Sequence, residues 1–192
     1  MRARYRLWIL AGCAAAFGCG GSAPERETPA GGATPAAATD LISADALAGC
    51  AGFSAARAAS LLGVPPEVVT DFSRTEGRLR MCHYRNADDV TKSVSFTLGH
   101  RESVEQAKSS MQRERESMGA AQGAIDRVTG SQSKTAASED MSGIGDEAFY
   151  SAMNGAIMLR VGNVLAQVTS PGDLALKKRA AEAVAQALRQ QR

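Results

Sequence analysis

The sequence predicts an α+β domain in which an antiparallel sheet of about five strands is covered on one face by helices. Three observations predict it. Two Asn/Gly dipeptides in the C-terminal third separate alternating apolar segments, as in a β-meander. Segments with apolar residues at helical spacing flank the strand-like segments on both sides. Two cysteines outside the N-terminal segment, Cys50 and Cys82, form an even pair, which predicts one disulfide in the domain.

The C-terminal three-stranded meander is predicted from Asn154-Gly155 and Gly162-Asn163, which suit two-residue hairpin turns. The expected registers pair Met153 with Ala156, Ala152 with Ile157, Tyr150 with Leu159, Ala148 with Val161, and Val161 with Val164. They place uncharged residues together on one face: Ala148, Tyr150, Ala152, Ile157, Leu159, Val161, Val164, Ala166 and Val168. That face is therefore expected to be buried.

The other elements are predicted from capping residues and periodicity. Helices are expected at 44–48 after Ser43, at 55–62 between Ser54 and Gly63, and at 102–118. A last helix is expected after Asp173, and its apolar stripe consists of Leu176, Ala180, Val184, Ala187 and Leu188. Strands are expected at 78–84 and 92–98, with turn residues at 86–89 between them. The last helix is expected to cover the buried face of the meander.

The N-terminal residues have the pattern of an export signal. Three arginines in residues 1–6 precede eleven apolar or small residues at 7–17, a length that suits a signal peptide and is too short to cross a bilayer. The pattern resembles that of bacterial lipoproteins, which carry their lipid on the cysteine that follows the cleavage site. Cys19 is the expected lipidated residue. Cys13 is the alternative because Leu10 stands three residues before it, and a secretory signal without lipid is another.

The expected organisation is a signal peptide at 1–18, a lipidated cysteine with an Ala/Gly/Pro linker at 19–39, and one globular domain at 40–192. The linker has almost no apolar side chains to bury, so nothing offsets the entropy of ordering it. Residues 1–18 hold three of the 22 basic residues and no acid, so the remainder has 19 basic against 20 acidic residues. Such a balance lacks the basic surface that nucleic-acid binding needs.

The two cysteines of the domain, Cys50 and Cys82, are expected to form a disulfide because the protein is expected to be exported. Cys50 precedes a short helix that ends in Leu62-Gly63. The second cysteine is closely followed by an aromatic residue, in Cys82-His83-Tyr84. A Gly-x-Gly-Asp-Glu-Ala-aromatic segment lies at 143–149. This order resembles a family of actinobacterial two-cysteine envelope lipoproteins of unknown function. Related domains are extracytoplasmic sensor domains of some bacterial serine/threonine kinases. The resemblance implies the fold and the disulfide, and no catalytic residues.

Several short patterns that could carry chemistry have simpler structural interpretations. Ser131 and Lys134 fit the S-x-x-K motif of penicillin-recognising enzymes, but they lie in one polar loop. His83 and His100 lack the spacing of metal ligands, so neither a metal nor a cofactor is expected. Glycines at 143–147 would admit a phosphate, yet they precede a strand rather than a helix, so a tight turn is expected.

These patterns together predict an exported protein that is lipid-anchored to the cell envelope, at the outer membrane if the host is Gram-negative. The domain is expected to be non-catalytic and to bind an envelope protein, a peptide or a glycan. A cell-envelope hydrolase and a sensor domain that acts beside a signalling partner are the alternatives. The ligand-binding residues are not assigned by the sequence, and the less apolar sheet face around Arg160 and Gln167 is the place to search for a concave site.

Overall fold

The computed structural model of the chain describes residues 41–130 and 138–192, which form an α+β fold. Eight strands occur in these ranges: β1 (Val69–Asp71), β2 (Arg74–Glu76), β3 (Leu79–Asn86), β4 (Ser93–His100), β5 (Ser138–Asp140), β6 (Glu147–Ser151), β7 (Ala156–Val161) and β8 (Val164–Val168). The α-helices there are α1 (Ala55–Leu62), α2 (Val104–Thr129) and α3 (Leu174–Arg189). Short 3-10 turns lie at Asp45–Leu47, Cys50–Gly52 and Pro66–Val68.

All eight strands belong to one antiparallel sheet, with the order β1–β3–β4–β8–β7–β6–β5. Strand β2 also pairs with β3, so β1 and β2 together form one edge of the sheet. The prediction of about five strands was therefore too low. The strands it missed, β1, β2 and β5, are three residues long each, which is too short for a period-two pattern to be visible in the sequence.

The meander is confirmed, with a correction to its first hairpin. Val161 pairs with Val164 as predicted, but Ser151 rather than Met153 pairs with Ala156. Residues 152–155 therefore form a four-residue loop, in which the side-chain oxygen of Asn154 accepts the Ala156 N–H at 3.1 Å. A shift of two residues keeps every side chain on its predicted face. The predicted face is confirmed apart from Ala152, which lies exposed in the loop.

Helices cover both faces of the sheet, which corrects the prediction of one covered face. Helices α1 and α3 pack on the face that holds Ile157 and Leu159, as predicted for α3. Helix α2 packs on the opposite face, where Ala107, Met111 and Met118 contact Phe149, Met158 and Leu165. Its short apolar stripe predicted a helix but did not determine which face of the sheet it would cover. Among the described residues, no helix has the length and apolar character needed to span a membrane.

The predicted disulfide between Cys50 and Cys82 is confirmed, with the two Cα atoms 5.9 Å apart. Cys50 lies in the buried turn before α1, and Cys82 lies in the middle of β3. Three aromatic rings pack beside the bond: Phe53 lies 5.3 Å from Tyr84 and 4.9 Å from Phe96 between ring centroids. The Tyr84 hydroxyl donates to the Phe53 carbonyl oxygen at 2.6 Å. The disulfide and this aromatic cluster therefore join the same two segments.

The glycine-rich segment before β6 is a structural turn, as expected. The carboxylate of Asp146 accepts the Gly162 N–H at 2.7 Å and contacts the guanidinium groups of Arg160 at 3.3 Å and Arg192 at 2.5 Å. Burial acts to raise the pKa of Asp146, but these donors outweigh it, so the pKa lies below its usual range. The segment therefore fixes the start of β6 to the turn between β7 and β8.

The first described residues are held by Asn163, which lies in the turn between β7 and β8. Its side-chain oxygen accepts the Ile42 N–H at 2.8 Å, and its amide nitrogen donates to the Ile42 carbonyl at 3.2 Å and to the Arg101 carbonyl at 2.7 Å. The same nitrogen lies 3.0 Å from Nε2 of His100. A residue expected only as a turn former thus fixes the beginning of the domain to the centre of the sheet.

Candidate functional site

Of two clefts on the described part of the chain, the larger, about 610 Å³, is the less suited to a ligand. It lies between the first 3-10 turn, the β2–β3 turn and the start of α2. Its charged lining residues have mixed sign: Arg78, Arg80 and Arg101 stand beside Asp45 and Glu102.

Two of the three arginines of this larger cleft, Arg80 and Arg101, already serve the fold. Arg101 donates to the Ser110 hydroxyl at 3.2 Å and to the His100 carbonyl at 3.0 Å. Arg80 donates to the Thr75 hydroxyl at 3.0 Å. A ligand there would have to compete for these donors, and the nearby carboxylates would repel an anion.

The second cleft, about 340 Å³, lies on the sheet face opposite α1 and α3, and we call it the outer-face cleft. The side chains that give it its character are Phe72, Arg74, Met81, His83, Ser95, Thr97 and Thr169. Thr97 pairs with Gln167, which pairs with Met158 under α2, so the cleft and α2 share one face of the sheet. Helix α2 packs mainly over β7 and β8, and the outward side chains of Met81, His83, Ser95 and Thr97 on β3 and β4 stay partly exposed.

The cleft arises from the register of β3 against β4. The larger outward side chains of Met81 and His83 stand opposite the small ones of Thr97 and Ser95. Small residues on β4 next to large residues on β3 leave a depression between the sheet edge and α2. The polar alternation in the sequence of β4 therefore corresponds to the floor of a cleft rather than to a solvated face.

His83 and Ser95 form the central polar contact of the cleft. Nδ1 of His83 lies 2.5 Å from the Ser95 hydroxyl. Burial, and then the positive charges of Arg85 and Arg74, lower the pKa of His83 below its ordinary value. His83 is therefore a neutral imidazole at neutral pH, and it can accept or donate a hydrogen bond.

Phe72 and Arg85 form the rim of the cleft. Phe72 is 47% exposed, and the Arg85 guanidinium lies over its ring at 4.7 Å from the centroid. Nε of Arg85 is buried without a hydrogen-bond partner, and this side chain has no ion pair with a described residue. Arg74 approaches Glu76 only at 3.9 Å, with both side chains largely exposed, so that pair is weak.

The contact between Ser95 and His83 lacks two parts of an acyl-transfer site. A nucleophilic serine needs a base held by a third group, and backbone donors for the developing oxyanion. Among the described residues, no carboxylate hydrogen-bonds the imidazole of His83. The Ser95 N–H donates to the Ser170 hydroxyl at 3.1 Å, so it cannot serve an oxyanion. The arrangement suits ligand binding better than catalysis.

The other predicted candidates are not brought together. His83 lies on the outer face, whereas His100 lies beside Asn163, and the described ranges contain no group of three or more His, Cys, Asp or Glu side chains placed to hold a metal ion. Ser131 and Lys134 lie outside the described residues, as do Cys13, Cys19 and the signal and linker at 1–39.

The outer-face cleft shares its sheet face with Arg160 and Gln167, and it lies next to Gln167, which pairs with Thr97, rather than around Arg160. Arg160 is only 7% exposed and contacts Asp146 and Glu147 at 3.3 and 3.6 Å, so it belongs to the structural network before β6. The cleft lies farther along the same face, beyond β8. Phe72 and Arg85 were missed, although the alternation of Thr70, Phe72 and Arg74 is a weak sign of an edge strand with an outward aromatic.

Comparison with known proteins finds no relative: no family model matches the chain, and no match is found among curated proteins or solved structures. The function is therefore inferred from the chemistry of the outer-face cleft and from the sequence patterns at the N-terminus.

Proposed function

We propose that this chain is an exported lipoprotein whose domain is a non-catalytic binding module, and that the outer-face cleft is its binding site. The basic N-terminus, the short apolar segment and the linker after Cys19 support export and anchoring. The resemblance to the two-cysteine envelope lipoproteins supports the same location. The observation that carries the binding function is the partly exposed polar face, with exposed Phe72 at its rim.

Two features of this face are locally unfavourable. An aromatic ring that is 47% exposed does not contribute its full hydrophobic stabilisation, and a buried guanidinium nitrogen without a partner costs free energy. A ligand that covers Phe72 would recover the first cost, and charge-assisted hydrogen bonds to the Arg85 guanidinium would offset the second. Locally unfavourable features of this kind are expected at functional sites.

Phe72→Ala is expected to abolish or strongly weaken binding, because it removes the exposed ring at the rim of the cleft. The measurement follows the amide NMR shifts of the full chain while envelope glycan fragments and short peptides are added separately. Shifts are expected at Phe72, His83 and Ser95 in the wild type. The matched control is Val90→Ala, which removes an apolar side chain that is 63% exposed in the β3–β4 turn. It should bind like the wild type.

Shifts confined to other surfaces, or equal binding by Phe72→Ala, would contradict the assignment of the site. The 2.5 Å contact between His83 and Ser95 favours a hydrolase as the second candidate function. Labelling of Ser95 by a fluorophosphonate, with loss of that labelling in His83→Ala, would replace the binding proposal with that one.

Cys19→Ser is expected to abolish incorporation of labelled palmitate when the full chain is expressed in a bacterium, because the acyl chains would lose their attachment residue. Cys13→Ser is the control and should be labelled like the wild type. Loss of labelling only in Cys13→Ser would move the lipid to that residue. If the wild type is not labelled, the N-terminal segment is an ordinary secretory signal without a lipid.

A further inference from the structure

We propose that the ligand of the outer-face cleft is an acidic sugar, meaning a sugar that carries a carboxylate or a phosphate group. The inference rests on the proposed binding function and adds the chemical class of the ligand. The charge of the cleft, the shape of its aromatic rim and the hydroxyl groups on its floor favour such a ligand.

The charge of the cleft favours an anion. Arg74 lines it and Arg85 stacks on its rim, and no acidic side chain is among the lining residues. Two carboxylates lie near the rim: Glu76 approaches Arg74 only at 3.9 Å in an exposed pair, and Asp71 accepts the Ser73 N–H at 2.7 Å without an ion pair to either arginine. The two positive charges are therefore largely uncompensated, whereas in the larger cleft Asp45 and Glu102 stand among the arginines.

The two guanidinium groups act on the same place in the cleft. Burial is the main cause that lowers the pKa of His83, and the charges of Arg85 and then Arg74 lower it further, so the positive potential of each reaches the imidazole. Stacking on Phe72 restrains the plane of the Arg85 guanidinium, so less entropy is lost when it meets a flat anionic group. Carboxylate and phosphate groups accept the paired N–H donors of arginine, and such charge-assisted hydrogen bonds are the strong ones.

The remaining lining favours a sugar as the carrier of the acid. The floor and the β8 side of the cleft present the hydroxyl groups of Ser95, Thr97 and Thr169, which match a ligand rich in donors and acceptors. The exposed ring of Phe72 can pack against the apolar face of a pyranose. A volume of about 340 Å³ is at the lower end of ligand pockets, which suits one or two sugar units.

The test compares glucuronate, glucose phosphate and glucose at equal concentration, by amide NMR shifts of the full chain. Glucuronate or glucose phosphate is expected to shift the amides of Phe72, His83 and Ser95, and glucose is expected to bind at least about tenfold more weakly. Whichever acidic sugar binds more tightly identifies the acid group as carboxylate or phosphate.

Arginine substitutions locate the acid group. Arg85→Gln is expected to weaken the binding of the acidic sugar about tenfold and to leave the binding of glucose unchanged. Arg74→Gln, at a largely exposed position where folding is not at risk, should weaken it in the same direction. Arg78→Gln, which removes the same charge from the larger cleft, is the matched control and should have no effect.

Two outcomes would overturn the inference while leaving the binding function intact. One is equal binding of glucose and the acidic sugars at the outer face. The other is a peptide that shifts the same amides when none of the three sugars does. Shifts that vanish in Arg78→Gln would place the site in the larger cleft and would end both proposals. An absence of shifts on the outer face with every sugar and peptide would also end both.

Discussion

Replacing Cys50 and Cys82 together by alanine is expected to lower the free energy of unfolding by about 3–4 kcal/mol. The two residues are 32 positions apart, and the bond removes the entropy of that loop from the unfolded chain. Typical domains are stable by only about 5–15 kcal/mol, so the loss would be a large fraction of the total. Both positions are 1% exposed, and alanine leaves no unsatisfied polar group there.

The measurement is urea unfolding of the wild type and of the double variant, each with and without a reductant. The reductant should lower the midpoint of the wild type to near that of the variant and should leave the variant unchanged. The contrary result is a midpoint of the wild type that stays unchanged after the disulfide has been fully reduced. In that case the aromatic cluster of Phe53, Tyr84 and Phe96 holds the two segments together without the bond.

Gly145→Ala is expected to destabilise the domain by about 2–5 kcal/mol, for two separable reasons. Gly145 has a φ of +66°, which costs a residue with a Cβ about 1–2 kcal/mol. A Cβ at this position would also lie 2.5 Å from the carbonyl oxygen of Arg160, which is backbone and cannot rotate away. Relief of that overlap would displace the turn that carries Asp146 and would cost about 1–3 kcal/mol more.

Gly143→Ala is the matched control for the second of these reasons. Gly143 has a φ of +83°, but a Cβ there would meet no atom within 4 Å. Gly143→Ala should therefore lower the free energy of unfolding only by the conformational cost, about 1–2 kcal/mol. The measurement is urea unfolding of both variants. Equal losses would show that the segment before β6 shifts without cost and is not fixed by its contact with β7.

Much of the fold could be predicted because its signals are local. The second meander hairpin follows from Gly162-Asn163 and the alternation around it, and α3 follows from Asp173 and its apolar stripe. The first hairpin was placed two residues off because residues 152–153 belong to the loop, a choice that Asn154-Gly155 alone does not decide. The face covered by α2 depends on tertiary packing, which no local pattern in the chain contains.

The candidate site was less predictable because it depends on pairing between strands. His83 and Ser95 were both visible in the sequence, but only the register of β3 against β4 places them 2.5 Å apart. Phe72 lies between two three-residue strands, where period and propensity carry almost no information. The stacking of Arg85 on its ring follows only once that edge is formed.

The attachment of Ile42 to Asn163 has a mechanical consequence. The backbone N–H and C=O of Ile42 are both hydrogen-bonded to a side chain in the turn between two central strands, and Ile42 is 1% exposed. If the chain is anchored through its N-terminal segment as proposed, tension along it would load the middle of the sheet, and the edge strands β1 and β2 would carry little of it.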